Sequence, residues 1–333
     1  MSQFKVLVTD YEYETFAPEK EVLDKLGLEL TFAQCRTEDD VIEAARDADA
    51  LINQYAPISR RVIENLEKCK VISRYGVGFN TIDIEAATEK GIIVGNVTDY
   101  CLDEVSDHAM ALLLSCARKV TLMNNEVKKG NWNFNVAVPI FRLRGRTIGL
   151  VGFGNIPQTV AKKAQAFGLN VIAFDPYVPE EVAKQANVEL VTLDELCERS
   201  DYISVHAPLN QYTQGMISYD QFNKMKKEAF IINTARGPVI DEAALITALQ
   251  EGKIAGAGLD VVEIEPIEAT NPLVKMDNVI LNPHSAFYSV EAETELKRKT
   301  AENVADVLSG FYPTYLVNKD VKVKVSLKDK ENV

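Results

Sequence analysis

Short apolar, β-branched runs alternate along this chain with longer stretches whose apolar positions recur at helical spacing. In the first part, Lys5–Thr9, Leu28–Ala33, Ala50–Asn53, Val71–Arg74 and Ile92–Val94 predict strands. Between them, Glu19–Lys25, Thr37–Ala45, Ser59–Lys68 and Ile84–Lys90 predict helices. Strand and helix in alternation, with short links, imply a parallel sheet covered on both faces. Leu102 to Val120 reads as one long helix, acidic at its start and basic at its end, as the helix dipole favours. Beyond it, strands are expected at Thr147–Val151, Asn170–Phe174, Tyr202–Val205, Phe230–Asn233, Gly256–Asp260 and Val279–Leu281. Helices are expected at Gln158–Phe167, Asp241–Glu251 and Ser289–Ser309, the last long enough to return to the first unit. The tail from Asn318 alternates charge with valine and is expected to be a loose edge or disordered.

The pattern predicts two α/β units. One consists of residues 1–99 and 291–333; the other, residues 100–290, is inserted into it. A length of 333 residues suits two domains. A cleft between two such units is where a ligand is expected.

The stretch Thr147–Asp175 is the most informative. An apolar strand leads into Gly152 and Gly154, a helix follows through Asn155 and Ile156, and a second strand ends on Asp175. Glycines allow a tight turn and close approach to a pyrophosphate, and a helix start offers free N–H groups and a positive dipole end. Asp175 is placed to accept hydrogen bonds from an adenosine ribose, and its charge would repel a 2′-phosphate. Pro176 and Tyr177 follow it, with no cation, so the expected cofactor is NAD rather than NADP. The third glycine position holds Pro157, which a helix's first turn tolerates.

Composition narrows the possibilities. An apolar share of 47%, a charged share of 26% and a net charge of −13 describe a soluble globular chain and disfavour nucleic acid or an anionic membrane as partner. The N-terminus lacks a signal-peptide pattern and no apolar run is long enough for a bilayer span, so a cytoplasmic location is expected. The five cysteines are scattered without metal-binding or redox spacing. His108, His206 and His284 show no metal-ligand spacing either, so no metal is expected.

Three post-strand loops of the second unit carry the chemistry. Arg236 follows Phe230–Asn233, Glu265 follows the strand ending at Asp260, and His284 follows Val279–Leu281. Arginine holds a carboxylate and polarises a carbonyl. Histidine donates a proton near neutrality, and a carboxylate orients the ring and favours its protonated form. Beside a nicotinamide these are the parts needed to reduce a 2-oxo acid. In the first unit, the loop Arg74–Asp83 has two glycines flanking Val77; its exposed amides and Arg74 suit a carboxylate.

Taken together, RYGVGFNTID, the glycine turn, SVHAPLNQYTQGMI, NTARGPVIDEAAL, GLDVVEIEP and NPHSAFYS resemble, in order and over nearly the whole chain, the D-isomer-specific 2-hydroxyacid dehydrogenases. The resemblance implies a Rossmann-type cofactor domain inserted into a flavodoxin-like substrate domain. It also implies Arg236, Glu265 and His284 as the catalytic set, with the substrate carboxylate on the amides of Val77 and Gly78. Asp260 would bond the nicotinamide carboxamide. His206, Ala207, Pro208, Thr213, Thr234 and Ala235 would line the cofactor cleft, and a homodimer would form around residues 100–145. DYCLDEVSDHA, FGLNVIAFDPY and HSAFYS are similar to the branch containing the C-terminal-binding proteins, where Arg74 would contact substrate and Phe287 would stand in place of a tryptophan. That branch includes adaptors, so an NAD(H)-gated dimeric adaptor is the alternative to an enzyme. Asn80 and Thr81 depart from the family's usual Asp and Asn. Phosphoglycerate dehydrogenases are similar too, but here no cation follows the third strand until Arg60 and Arg61, so a phosphorylated substrate is not expected.

Overall fold

The computed structural model describes residues 4–323 and 326–330. It divides into two compact units, residues 1–100 with 289–333, and residues 101–288.

The first unit begins with β1 (Lys5–Val8), α1 (Ala17–Leu23), β2 (Glu29–Phe32), α2 (Glu38–Ala45), β3 (Ala50–Asn53), α3 (Arg60–Asn65), β4 (Val71–Arg74), α4 (Ile84–Lys90) and β5 (Ile93–Gly95). Its strands form one parallel sheet in the order β2-β1-β3-β4-β5, a doubly wound arrangement. The helix starts are written in the sequence. Thr37 and Asp40 form a capping box, and Ser59 and Asp83 accept from the amides of Val62 and Ala86. Val41, Leu51, Ile63, Ile72 and Val94, all fully buried, belong to one core beneath the sheet.

The second unit runs α5 (Leu102–Arg118), α6 (Val120–Lys128), β6 (Thr147–Val151), α7 (Asn155–Ala166), β7 (Asn170–Phe174), α8 (Glu180–Gln185), β8 (Glu189–Leu190), α9 (Leu193–Arg199), β9 (Tyr202–Val205), α10 (Tyr219–Lys224), β10 (Phe230–Asn233), α11 (Glu242–Gln250), β11 (Gly256–Leu259) and β12 (Val279–Leu281). All seven strands are parallel, in the order β12-β11-β10-β9-β6-β7-β8. The order reverses between β6 and β9, and at such a switch point the loops diverge and open a crevice. Both faces are covered: Ile203, Val205 and Ile231 join one core, while Ile148, Leu150 and Ile232 join the other.

The helix expected from Leu102 to Val120 is present as α5, two residues shorter, and a second helix that was not expected, α6, follows it. Lys119 adopts a left-handed conformation (φ 50°) that closes α5, its amide bonding back to Cys116 and Ser115, and α6 starts immediately after it. The closing helix α12 (Val290–Leu308), capped by Ser289, packs on α1 and on β3, β4 and β5 of the first unit. The tail corrects its expectation. The Asn318 side chain accepts from the amide of Val94 and donates to the carbonyl of Ile92, and Lys328 bridges to Phe311. Lys330 pairs with Asp306 at 2.6 Å. Residues 324–325 and 331–333 of that tail, and residues 1–3 at the start, lie outside the described residues.

Among the described residues, no helix is long and apolar enough to cross a membrane, and no His, Cys, Asp or Glu cluster is arranged to hold a metal ion.

Candidate active site

Six loops leave the carboxyl edge of the second sheet, and each carries a residue singled out from the sequence. After β6, Gly152 has φ +95° and passes the backbone of His206 and Ala207 so closely that an added Cβ would stand 3.1 Å from it. No other residue type fits that position without strain. Gly154 is the N-cap of α7, has open space where a Cβ would be, and no side chain caps the helix. The amides of Asn155 and Ile156 therefore remain available for an anion. Pro157 is the third helical residue and is buried. Its missing N–H removes one donor from the first turn without breaking any bond within the helix.

After β7, Asp175 accepts from the amides of Phe153 (2.8 Å), Tyr177 (2.9 Å) and Val178 (3.1 Å), so it fixes the glycine turn as well as ending the strand. After β9, the His206 ring lies 2.8 Å from the Ser204 hydroxyl, and burial pushes its pKa down to about 3, which keeps it neutral. Ala207 and Pro208 follow, and the Thr213 hydroxyl closes that loop by donating to the carbonyl of Pro208 at 2.5 Å. After β10, the hydroxyl of Thr234 is buried and makes no hydrogen bond among the described residues. A buried donor without a partner is costly, and a bound polar ligand would satisfy it. The uncapped helix, the glycine turn and this hydroxyl all fit a dinucleotide.

The remaining three residues meet. Nδ1 of His284 lies 2.7 Å from Oε2 of Glu265, and both side chains are about a third exposed, 35% and 37%. Burial alone would raise the Glu265 pKa. The hydrogen bond and charge of His284, the amide of Val262 and the charge of Arg236 outweigh it and hold the carboxyl below its ordinary range. Arg236 stands on a turn built by Asn233, whose side chain donates to the carbonyl of Arg236 and accepts from the amide of Ala235. Gly237 then presses on the next loop: an added Cβ would fall 1.8 Å from the carbonyl oxygen of Val262. That contact sets the spacing between the Arg236 loop and the Glu265 loop.

His284 itself has φ 52°, uncommon for a residue with a side chain. Asp260, 1% exposed, holds it there. Its carbonyl accepts from the amide of His284, and its carboxylate accepts from the amides of Ser285 and Ala286, each at 2.9 Å. Phe287, in the same loop, meets the His284 ring edge to face at 6.4 Å.

In the first unit, Arg74 ends β4 and its guanidinium lies above Gly76, where an added Cβ would collide with Nη1. Val77 and Gly78 follow in the loop, and the carbonyl of Val77 accepts from the Asn96 side chain at 2.7 Å.

Residues 110–286 match the model of the D-isomer specific 2-hydroxyacid dehydrogenase, NAD binding domain. The chain is 40% identical to a glyoxylate reductase of Korarchaeum cryptofilum, over 86% of its own length and 87% of the relative's. It belongs to the D-isomer specific 2-hydroxyacid dehydrogenase family. A D-3-phosphoglycerate dehydrogenase of Methanocaldococcus jannaschii is 43% identical over 94% of this chain, which spans 59% of that relative. Among solved structures, the D-mandelate dehydrogenase of Rhodotorula graminis superposes with a TM-score of 0.88 at 29% identity, covering 98% of this chain and all of that one (100%). The family's cofactor is NAD, and the second unit is its binding domain.

Two contributors were not expected from the sequence. His108 on α5 brings Nε2 to 3.4 Å from Asp260, though without the alignment of a hydrogen bond. Asn233 shapes the Arg236 turn. Both lie within stretches already singled out, Asn233 three residues before Arg236 and His108 in the α5 segment, but only the fold shows what their side chains meet.

Proposed function

We propose that this protein is an NAD-dependent D-2-hydroxyacid dehydrogenase that reduces a small 2-oxo acid. The Glu265–His284 pair, 2.7 Å apart on adjacent strand-end loops and within the electrostatic reach of Arg236, carries the reading. Arg236 binds the substrate carboxylate and polarises the carbonyl; the amides of Val77 and Gly78, with Arg74, receive the same carboxylate. His284 donates a proton from Nε2 to the carbonyl oxygen, and Glu265 fixes the ring through Nδ1. NADH, when held there, would supply the hydride. Gly152, Gly154, Asn155 and Ile156 would hold its pyrophosphate and Asp175 its adenosine ribose. Thr234, Ala235 and the His206–Pro208 loop would line the remainder. Exposed Trp132 (88%), Phe134 (73%) and Val138 (57%) support a homodimer formed through the segment that contains them.

The test is NADH consumption with glyoxylate, hydroxypyruvate, pyruvate, 2-oxoisocaproate, phenylpyruvate and phosphohydroxypyruvate. Turnover of at least one, lost in His284→Ala while NADH binding persists, is the expected result. Tight NADH binding with no turnover of any would favour an adaptor instead. The similarity to a phosphoglycerate dehydrogenase supports a second reading, in which phosphohydroxypyruvate is the substrate.

A further inference from the structure

We propose that Asn96 is a positioning residue for the substrate carboxylate. Its side chain holds the loop after β4 so that the amides of Val77 and Gly78 face outward as an anion-binding pair. This rests on the dehydrogenase reading above.

The hydrogen bonds of this loop run in one sense. The amide of Tyr75 donates to the carbonyl of Asn53 at 2.9 Å, and the Tyr75 hydroxyl donates to Glu19 at 2.7 Å. The carbonyl of Gly76 then accepts from the amide of Val97 at 3.1 Å, and that of Val77 from Nδ2 of Asn96 at 2.7 Å. The peptides on either side of Val77 are trans, so each N–H points opposite to the preceding carbonyl. Two carbonyls tied to the segment Asn96–Val97 therefore turn the amides of Val77 and Gly78 away from it. Both residues are partly exposed, and neither amide makes a hydrogen bond among the described residues. Successive free amides in a turn form a concavity for an anion.

Asn96 follows β5, is 6% exposed, and is clamped through its own backbone. Its amide donates to the carbonyl of Tyr315 at 3.3 Å, and its carbonyl accepts from Nδ2 of Asn303 at 2.9 Å. Asn303, buried on α12, also sets Nδ2 3.3 Å from the hydroxyl of Ser73, which donates to the carbonyl of Thr300 at 2.9 Å. Gly95 makes room for the clamp. An added Cβ there would stand 3.1 Å from Nδ2 of Asn303 and 3.2 Å from the carbonyl oxygen of Tyr315.

Packing alone does not call for this arrangement. A buried side-chain amide gains little over an apolar residue of the same size, and costs more unless its hydrogen bonds are made. What an apolar residue could not do is take the Val77 carbonyl. Without that donor the 77–78 peptide is free to turn, and a carbonyl oxygen presented in place of the Gly78 amide would repel a carboxylate. Asn318 offers the contrast within the same sheet. It accepts from the amide of Val94 and donates to the carbonyl of Ile92, so it fastens β5 without holding the loop.

The test compares KM and kcat for the best 2-oxo acid, with the NADH Kd, in the full-length protein. Asn96→Asp keeps the volume but sets an acceptor against the Val77 carbonyl. Asn96→Ser is too short to reach that carbonyl, and it decides the matter if the first variant does not fold. Each is expected to raise KM about tenfold, with kcat changed by less than about threefold and NADH affinity unchanged. Asn318→Ser should lower the urea midpoint yet leave KM at the wild-type value. A wild-type KM in a folded Asn96 variant overturns the proposal, as does a loss confined to kcat. An equal rise of KM in Asn318→Ser, or failure of both Asn96 variants to fold, would make Asn96 a structural residue and overturn it as well. Wild-type inactivity on every 2-oxo acid would instead remove the dehydrogenase reading, and this proposal with it.

Discussion

Replacing Glu265 with glutamine separates the two things its carboxylate does. The amide oxygen can still accept from Nδ1 of His284, so the ring keeps its orientation, but the charge is gone. In reduction the imidazolium is the proton donor, and a neighbouring carboxylate favours that form. Removing it withdraws that support from the proton donor, so on the proposed mechanism reduction must slow even with the ring correctly placed. The partners are 35% and 37% exposed, which places them between water and the protein interior. At about 4 Å between charge centres, their attraction lies between about 1 kcal/mol in water and about 4 kcal/mol near a protein surface. A tenfold change in rate corresponds to about 1.4 kcal/mol, so a loss of about tenfold in kcat/KM is expected, toward the solvent-screened end. The assay is kcat/KM for reduction, wild type beside Glu265→Gln, followed by NADH absorbance. A Glu265→Gln rate equal to wild type would refute the electrostatic role and leave Glu265 as a spacer.

Gly237→Ala would drive a Cβ into the Val262 carbonyl, which no side-chain rotation relieves. We expect a loss of about 3 kcal/mol in urea unfolding, together with a fall in kcat that exceeds any change in the NADH Kd; wild-type stability would contradict the packing. His206 gives a pH signature. Burial lowers its pKa from 6.5 to about 3. Its contribution to stability is therefore complete above the unfolded value and is lost as pH falls toward the folded one, by up to about 5 kcal/mol. His206→Asn should show a flatter decline in urea midpoint below about pH 6 than wild type; parallel curves would show that the ring is already charged or solvated in the fold.

Much of this molecule was legible because its local signals agree. Apolar runs bounded by turn residues marked every strand of the first sheet and all but β8 of the second, whose two residues, Glu189 and Leu190, are too short to show a pattern. Helices α8, α9 and α10, of six or seven residues each, escaped for the same reason. The helix expected from Leu102 to Val120 ends within two residues of α5, but α6 escaped: it buries none of its nine residues, so no apolar face marks it in the sequence. At the site, residue types carried the reading: an arginine, a carboxylate and a histidine each stood just after a strand. What spacing could not convey was the work of Asp260. The sequence expectation aimed its carboxylate at a ligand, whereas in the fold both of its oxygens also hold the loop that presents His284.

Asp260 also shows how far a packing choice can reach into chemistry. β11 reads Gly256, Ala257, Gly258, Leu259, poor strand formers for a central position. Their smallness admits α5: a Cβ on Gly258 would stand 3.1 Å from Leu112 and 3.3 Å from the sulfur of Cys116. A helix lying that close brings His108, one turn earlier on α5, to 3.4 Å from Asp260 at the strand's end. The same strand delivers Asp260 to the amides of Ser285 and Ala286, and through them fixes the left-handed backbone of His284. A larger residue at 258 would therefore act on His284 without touching it, by lifting α5 from β11 and withdrawing His108 from the carboxylate that holds the His284 loop.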